Sequence, residues 1–168
     1  MSMPTGHVLC RGCDFKGFMQ WRPITLEYVL PSGVVVQGSR VFAWCSSCDN
    51  IRDAEMPFDA ASIQAEIDLL IQQKVGFFGR LFGAGKAEEV ELNQLKGKLQ
   101  LAQLRKSQPR CLKCGESTVT PLSFDESDTS NIIHTCGHRL YLAPENPEAA
   151  RFMFRPEVIR LNYEGRKI

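Results

Sequence analysis

The residues best suited to chemistry are seven cysteines and two of the three histidines. They fall as Cys10-Arg-Gly-Cys13, Cys45-Ser-Ser-Cys48, Cys111-Leu-Lys-Cys114 and His134-Thr-Cys136-Gly-His138. Two cysteines three positions apart on one turn present both sulfurs to a single ion, and two such turns close a tetrahedron. Seven is an odd number, which argues against a complete set of internal disulfides. Seven thiolates and one imidazole supply eight donors, the number that two four-coordinate zinc ions require. The expectation is therefore two zinc ions per chain, both structural.

Sequential pairing assigns Cys10, Cys13, Cys45 and Cys48 to one site, and Cys111, Cys114, Cys136 and a histidine to the other. His134 is favoured for the last ligand. It lies two residues before Cys136, so on a strand both side chains face the same way, and Cys136-Gly137 keeps the place of a knuckle. His138, two residues beyond Cys136, is the alternative. A cross-braced arrangement, with Cys10/Cys13 and Cys111/Cys114 sharing an ion, is the competing topology. His7 has no partner at ligand spacing and reads as a surface residue.

The first four cysteines surround strand-like sequence. Ile24, Leu26, Tyr28 and Leu30 alternate at period two, and Pro31-Ser-Gly33 supplies a turn. Val34–Val36 and Arg40–Trp44 continue as strand, with Trp44 placed to shield the site from water. On Cys10, Cys13, Cys45 and Cys48 this module resembles the zinc-ribbon (rubredoxin-like) superfamily. In that superfamily, two knuckles on β-hairpins clamp one metal. Asp14 and Asp49 depart from it, standing where many ribbons have glycine after the second cysteine. Residues 110–142 resemble a second ribbon with one knuckle altered, and Cys111-Leu-Lys-Cys114-Gly115 matches the knuckle pattern fully. The resemblance implies structural zinc. Iron is the alternative metal, since rubredoxin-like sites use the same four thiolates.

The metal-bearing segments are separated by residues 59–106, which hold no cysteine or histidine. Asp59 or Ser62 caps a first helix, on which Ile63, Ile67, Leu70, Ile71 and Val75 share a face. Gly76 follows as a stop signal. A second helix begins near Ala87. Glu88, Glu89 and Glu91 near its start, with Arg105 and Lys106 at its end, complement the helix dipole. Leu92, Leu95, Leu99 and Ala102 form its stripe, widened by Val90, Leu101 and Leu104. Gly97 is a weak point, costing about 1 kcal/mol against alanine. The fold class is α+β: two small β-rich zinc-ribbon modules separated by an antiparallel helical hairpin. Residues 1–58 form the first module, 59–106 the arm and 107–168 the second module. The tail adds a short helix over 148–154 and a strand over 158–163.

The tip of the hairpin, residues 76–85, reads GFFGRLFGAG. Phe77, Phe78, Leu81 and Phe82 are large and apolar where a polar loop is usual. They are candidate contacts for a protein partner or for self-association, with a membrane surface as a further reading.

No Gly-x-Ser-x-Gly, P-loop, dinucleotide fingerprint or His-Glu-x-x-His occurs, and closed metal sites leave no position for a substrate. His134 with Cys136 would pair a base with a nucleophile, but metal ligation accounts for their spacing better. The expectation is a non-enzyme. The formal net charge is +1, falling to about −2 with seven thiolates and two dications. That balance opposes a nucleic-acid-associated ribbon protein, the second functional reading, because indiscriminate phosphate binding needs a basic excess. The N-terminus lacks the features of a signal peptide, so a cytoplasmic adaptor or scaffold acting through its hairpin and ribbon surfaces is the first reading.

Overall fold

The computed structural model describes residues 5–75, 86–144 and 155–168. Among them the chain is α+β. Strands β1 (Thr5–Cys10), β2 (Lys16–Gln20), β3 (Ile24–Val29), β4 (Val35–Gly38), β5 (Arg40–Cys45) and β6 (Asn50–Glu55) precede helices α1 (Ala60–Val75) and α2 (Lys86–Leu104). Strands β7 (Val119–Pro121), β8 (Thr129–Ile133), β9 (Arg139–Leu142) and β10 (Glu157–Asn162) follow. The strands form three sheets, ordered β2-β1-β9-β8, β6-β5-β7 and β10-β3-β4.

Two compact units result, and neither is a continuous stretch of chain. The first comprises Met1–Thr25, Ser39–Met56 and Pro109–Val158, and the second Leu26–Gly38, Pro57–Gln108 and Ile159–Ile168. This corrects the sequential division at residues 58 and 106. The β3–β4 hairpin, expected inside the first ribbon, belongs with the helices. The cause is apolar pairing: β3 sends Leu26 and Tyr28 fully inward, and β4 packs against α2.

In the first unit the four-stranded sheet carries the core. Val8, Met19, Trp44, Ile51, Ile132 and Leu140 are buried together with Cys10. Asp53 of β6, nearly buried, accepts from Arg22 at 2.7 Å and pairs with Arg40 as well. Arg40 also donates to the carbonyls of Gln20 (3.2 Å) and Arg22 (3.0 Å). This places an ion cluster between the link leaving β2 and the β5–β6 hairpin.

In the second unit Ile63 and Ile67 of α1 and Leu95 of α2 are buried together, with Phe58, Leu70, Leu92, Leu99 and Ala102 around them. Asp59 is the N-cap. Its carboxylate accepts from the Ala61 amide at 3.1 Å and from the Ser62 hydroxyl. The Ser62 hydroxyl and then the Ala61 amide hold the Asp59 carboxyl below its ordinary value. The apolar stripes are narrower than expected, because Ile71, Val90 and Leu104 are exposed. The residues of the tip, with Phe77, Phe78, Leu81 and Phe82, and the tail segment 148–154 lie outside the described residues.

Gly97 is buried where α2 meets β4. A Cβ at this position would stand 2.9 Å from Cγ2 of Val36. Close approach of helix to strand therefore explains a glycine that helix propensity alone disfavours. Overpacking at such a contact costs about 1–3 kcal/mol, more than the gain of about 1 kcal/mol from replacing a helical glycine by alanine. Gly97→Ala is expected to lower the unfolding midpoint. In a Val36→Ala background the same substitution is expected to become neutral or stabilising. Denaturant titration of the four variants checks this, and an unchanged penalty in the Val36→Ala background would remove the packing explanation.

Candidate metal centres

Strand pairing determines which donors meet. β1 pairs antiparallel with β9, Cys10 lying opposite Leu140. This brings the end of β1 beside the turn that joins β8 to β9. That turn is closed by the Gly137 amide donating to the His134 carbonyl (2.8 Å) and the His134 amide to the His138 carbonyl (2.9 Å). Gly137 takes a left-handed φ of 84° there. On the other side of the unit, β7 pairs with β5, Cys45 lying opposite Val119. The segment before β7 runs along β6. Ala54 bridges to Cys111, the Leu112 amide donates to the Asp53 carbonyl (2.9 Å), and the Arg110 amide donates to buried Glu55 (2.7 Å).

Two donor clusters result, each of four residues. One is Cys10, Cys13, His134 and Cys136; the other is Cys45, Cys48, Cys111 and Cys114, with the ligand atoms of each within 4.8 Å of one another. All eight candidate ligands are thus brought together, in neither of the pairings considered from sequence. The Cys10/Cys13 and Cys111/Cys114 knuckles do not share a cluster, and the sequential grouping is replaced as well. The physical reason is the β pairing just described. It joins each N-terminal knuckle to a C-terminal one, so both clusters lie in the first unit.

The distances suit a common ion. Cys10 and Cys136 sulfurs are 3.3 Å apart, and Nδ1 of His134 is 3.4 Å from the sulfurs of both Cys13 and Cys136. In the second cluster Cys45 and Cys114 are 3.6 Å apart. A tetrahedron with metal–sulfur bonds near 2.3 Å has edges of about 3.8 Å. None of the seven cysteines is joined in a disulfide.

His134 occupies the ligand position. It is buried, its ring held between Phe15 (centroids 4.9 Å apart) and Trp44 (5.6 Å, edge-on). Trp44 therefore lies against the cluster of Cys10 and Cys13, completed by His134 and Cys136, while its neighbour Cys45 points to the opposite face of β5 and serves the other cluster. His138 is exposed. Its Nδ1 lies 3.8 Å from the Cys136 sulfur and 3.2 Å from the Cys136 carbonyl oxygen. Its ring fills the space where a Cβ on Gly12 would stand.

The residue after the second cysteine of a knuckle is left-handed at Asp49 (φ 46°) as at Gly115 (φ 80°). Asp49 thus performs the turn that glycine performs elsewhere, aspartate being one of the few residues that tolerate this region. Asp14 does not. Its knuckle closes more widely, through the Cys10 amide and the Phe15 carbonyl at 3.3 Å.

Without a cation, the thiols of each cluster ionise unequally. The Phe15 amide favours the Cys13 thiolate, but burial and the neighbouring Cys10 and Cys136 sulfurs outweigh it and raise Cys13 to about 11. Burial is the main reason that Cys45 is pushed up to about 12, with its Cys114, Cys48 and Cys111 neighbours adding to it. Cys114 is held below its ordinary value by the Glu116 amide. For Cys10, burial acts upward, but the Gly12 amide and the Cys136 and Cys13 thiols outweigh it and lower the value. Each cluster thus sets a readily ionised sulfur beside one that resists. A bound dication removes that conflict by stabilising every thiolate at once.

Comparison with protein-family models, curated proteins and solved structures found no match for this chain. The site therefore stands on its own geometry: an α+β protein with two Cys/His clusters able to hold metal ions. Among the described residues, no helix is long and apolar enough to cross a membrane.

The pairing makes a specific prediction for Cys111→Ser. Losing this ligand is expected to release residues 45–50 together with 111–116, while 10–13 and 134–138 stay protected. Hydrogen exchange on the variant tests it. Loss of protection at 134–138 with 45–50 unaffected would restore sequential pairing.

Proposed function

We infer that this chain is a non-catalytic zinc protein of zinc-ribbon character, in which two structural zinc ions staple a β-rich unit that serves as an adaptor. The observation that carries this reading is the closure of both donor sets. Cys10, Cys13, His134 and Cys136 make one set of three thiolates and an imidazole, and Cys45, Cys48, Cys111 and Cys114 make one set of four thiolates. Four protein donors complete a zinc tetrahedron, whereas catalytic zinc keeps a position open for water or substrate. The sulfur-rich donors favour zinc or iron over hard cations such as magnesium and calcium, and the imidazole in the first set favours zinc over a rubredoxin-type iron centre. Bound zinc would contribute folding free energy here, since each ion would join distant segments, Cys13 and His134 being 121 residues apart in the first cluster and Cys45 and Cys114 69 apart in the second.

Reduced thiolates suit a cytoplasmic setting. The adaptor role places protein partners, or a second copy of the chain, on the hairpin and on the outer surfaces of the sheets. Phe77, Phe78, Leu81 and Phe82 remain the candidate contact residues, because four large apolar residues fall in the stretch between two helices, where polar residues are usual.

Elemental analysis of the purified chain is expected to give about two zinc ions per molecule. His134→Ala is expected to leave about one, and His138→Ala about two, in line with closed and separate sites. A full iron complement, or a single zinc in the unaltered chain, would overturn the reading. Equal loss in both histidine variants would overturn the assignment of His134.

A further inference from the structure

The two donor sets differ in how they meet solvent. In the second, Cys45 and Cys111 are buried, Cys48 is half-buried and Cys114 is exposed. In the first, Cys10 and His134 are buried, but Cys13 and Cys136 are both exposed. The first set therefore has an open side, bounded by one exposed cysteine from each knuckle. His138 stands on that side. Its Nδ1 lies 3.8 Å from the Cys136 sulfur, against 3.4 Å for Nδ1 of His134. A sulfur and a nitrogen bound to one tetrahedral zinc ion stand about 3.6 Å apart. Cys136 is thus flanked by two imidazoles at ligand spacing, one buried within the closed set and one outside it in solvent.

Two features put His138 in this place. The first is the turn, in which the His134 amide donates to the His138 carbonyl (2.9 Å), so that one short loop carries both histidines. The second is Gly12, where a Cβ would fall on the His138 ring. Gly115 and Gly137 take a left-handed φ, but Gly12 does not. Backbone conformation therefore does not call for glycine at position 12, and room for the imidazole does. Nδ1 of His138 also lies 3.2 Å from the Cys136 carbonyl oxygen. With the ring proton on Nδ1, that carbonyl accepts it. With the proton on Nε2, the Nδ1 lone pair is free beside the sulfur.

We propose that Cys136 and His138 form an outer, transient zinc site through which the first centre exchanges its ion with solution. A thiolate keeps lone pairs beyond the one given to a resident ion, so an arriving zinc ion meets the Cys136 sulfur and the His138 nitrogen together. It then takes the closed set one donor at a time as the resident ion leaves by the same side. Only metal–donor bonds form and break, and nothing is oxidised or reduced. Two donors fall short of the four that a lasting zinc site uses, which makes this pair a passage and not a third centre. The second set, with Cys114 alone exposed, lacks the route. The proposal rests on the structural zinc reading and deepens it for one of the two centres.

The test is isotope exchange on the full zinc-loaded chain. Isotopically labelled zinc ions are added in excess, and the label bound to protein is followed by mass spectrometry. One of the bound ions is expected to exchange ahead of the other. His138→Ala is expected to slow that faster exchange about tenfold, the low end of what residues beside a ligand contribute at metal sites. Zinc content and the slower exchange are expected to stay unchanged. His138→Asn keeps a side-chain hydrogen-bond donor but no imidazole, and is expected to behave as His138→Ala does. Gly12→Ala keeps every ligand but occupies the place of the ring, so it is expected to slow the same phase. Faster exchange in His138→Ala would overturn the proposal, since the histidine would then be a cover or a hydrogen-bond donor that retains the ion. Unaltered rates in His138→Ala, or full recovery in His138→Asn, would overturn it as well. A stoichiometry well below about two zinc ions in the unaltered chain would overturn the structural reading together with this one. Full stoichiometry with exchange indifferent to His138 would overturn this one alone.

Discussion

Four soft donors held within 4.8 Å of one another, twice over, form the constraint on which the first unit depends. Sulfurs so close cannot all ionise without a cation, and burial worsens the conflict at Cys45. Apolar packing does not by itself compensate for this. The core around Val8, Trp44 and Leu140 is small, and the β6-β5-β7 sheet gains its third strand from only three residues. A dication bound at each cluster would convert the least favourable feature of the unit into a crosslink. The short strand pairings then act as guides that bring the knuckles into range.

Much of this was legible in the residues. Cys-x2-Cys spacing identifies donors because one turn orients two sulfurs, and that logic holds wherever the turn sits. Asp59 announced the start of α1 through its side-chain chemistry, and the α+β class followed from the change of period between the strands and the helices. The choice of His134 rested on strand geometry and agrees with the side chain found in the cluster.

Partnership between knuckles was not legible, since every cysteine offers the same donor to every other. It is decided by pairing between β1 and β9 and between β5 and β7, across more than seventy residues in each case. The short segment Val119–Pro121 gives little local hint of its partner. The same blindness to long-range pairing misplaced the β3–β4 hairpin and grouped Cys45 and Cys48 with the site that Trp44 shields. Gly97 is the converse case. Its local cost was visible, and its reason, contact with Val36, was not.

Interleaving of the chain has a consequence for how the protein comes into being. The first unit is assembled from three stretches, with the helical segment and the β3–β4 hairpin between them. During synthesis from the N-terminus, the Cys45/Cys48 knuckle waits through the whole of the helical segment for Cys111 and Cys114. The Cys10/Cys13 knuckle, made first, waits longest, until His134 and Cys136 emerge. The order of completion is thus the reverse of the order of appearance, and half-formed thiol pairs stand open to oxidation for most of translation. The second unit closes last of all: its helices are complete by Leu104, but its sheet waits for β10, whose Ile159 and Leu161 are buried.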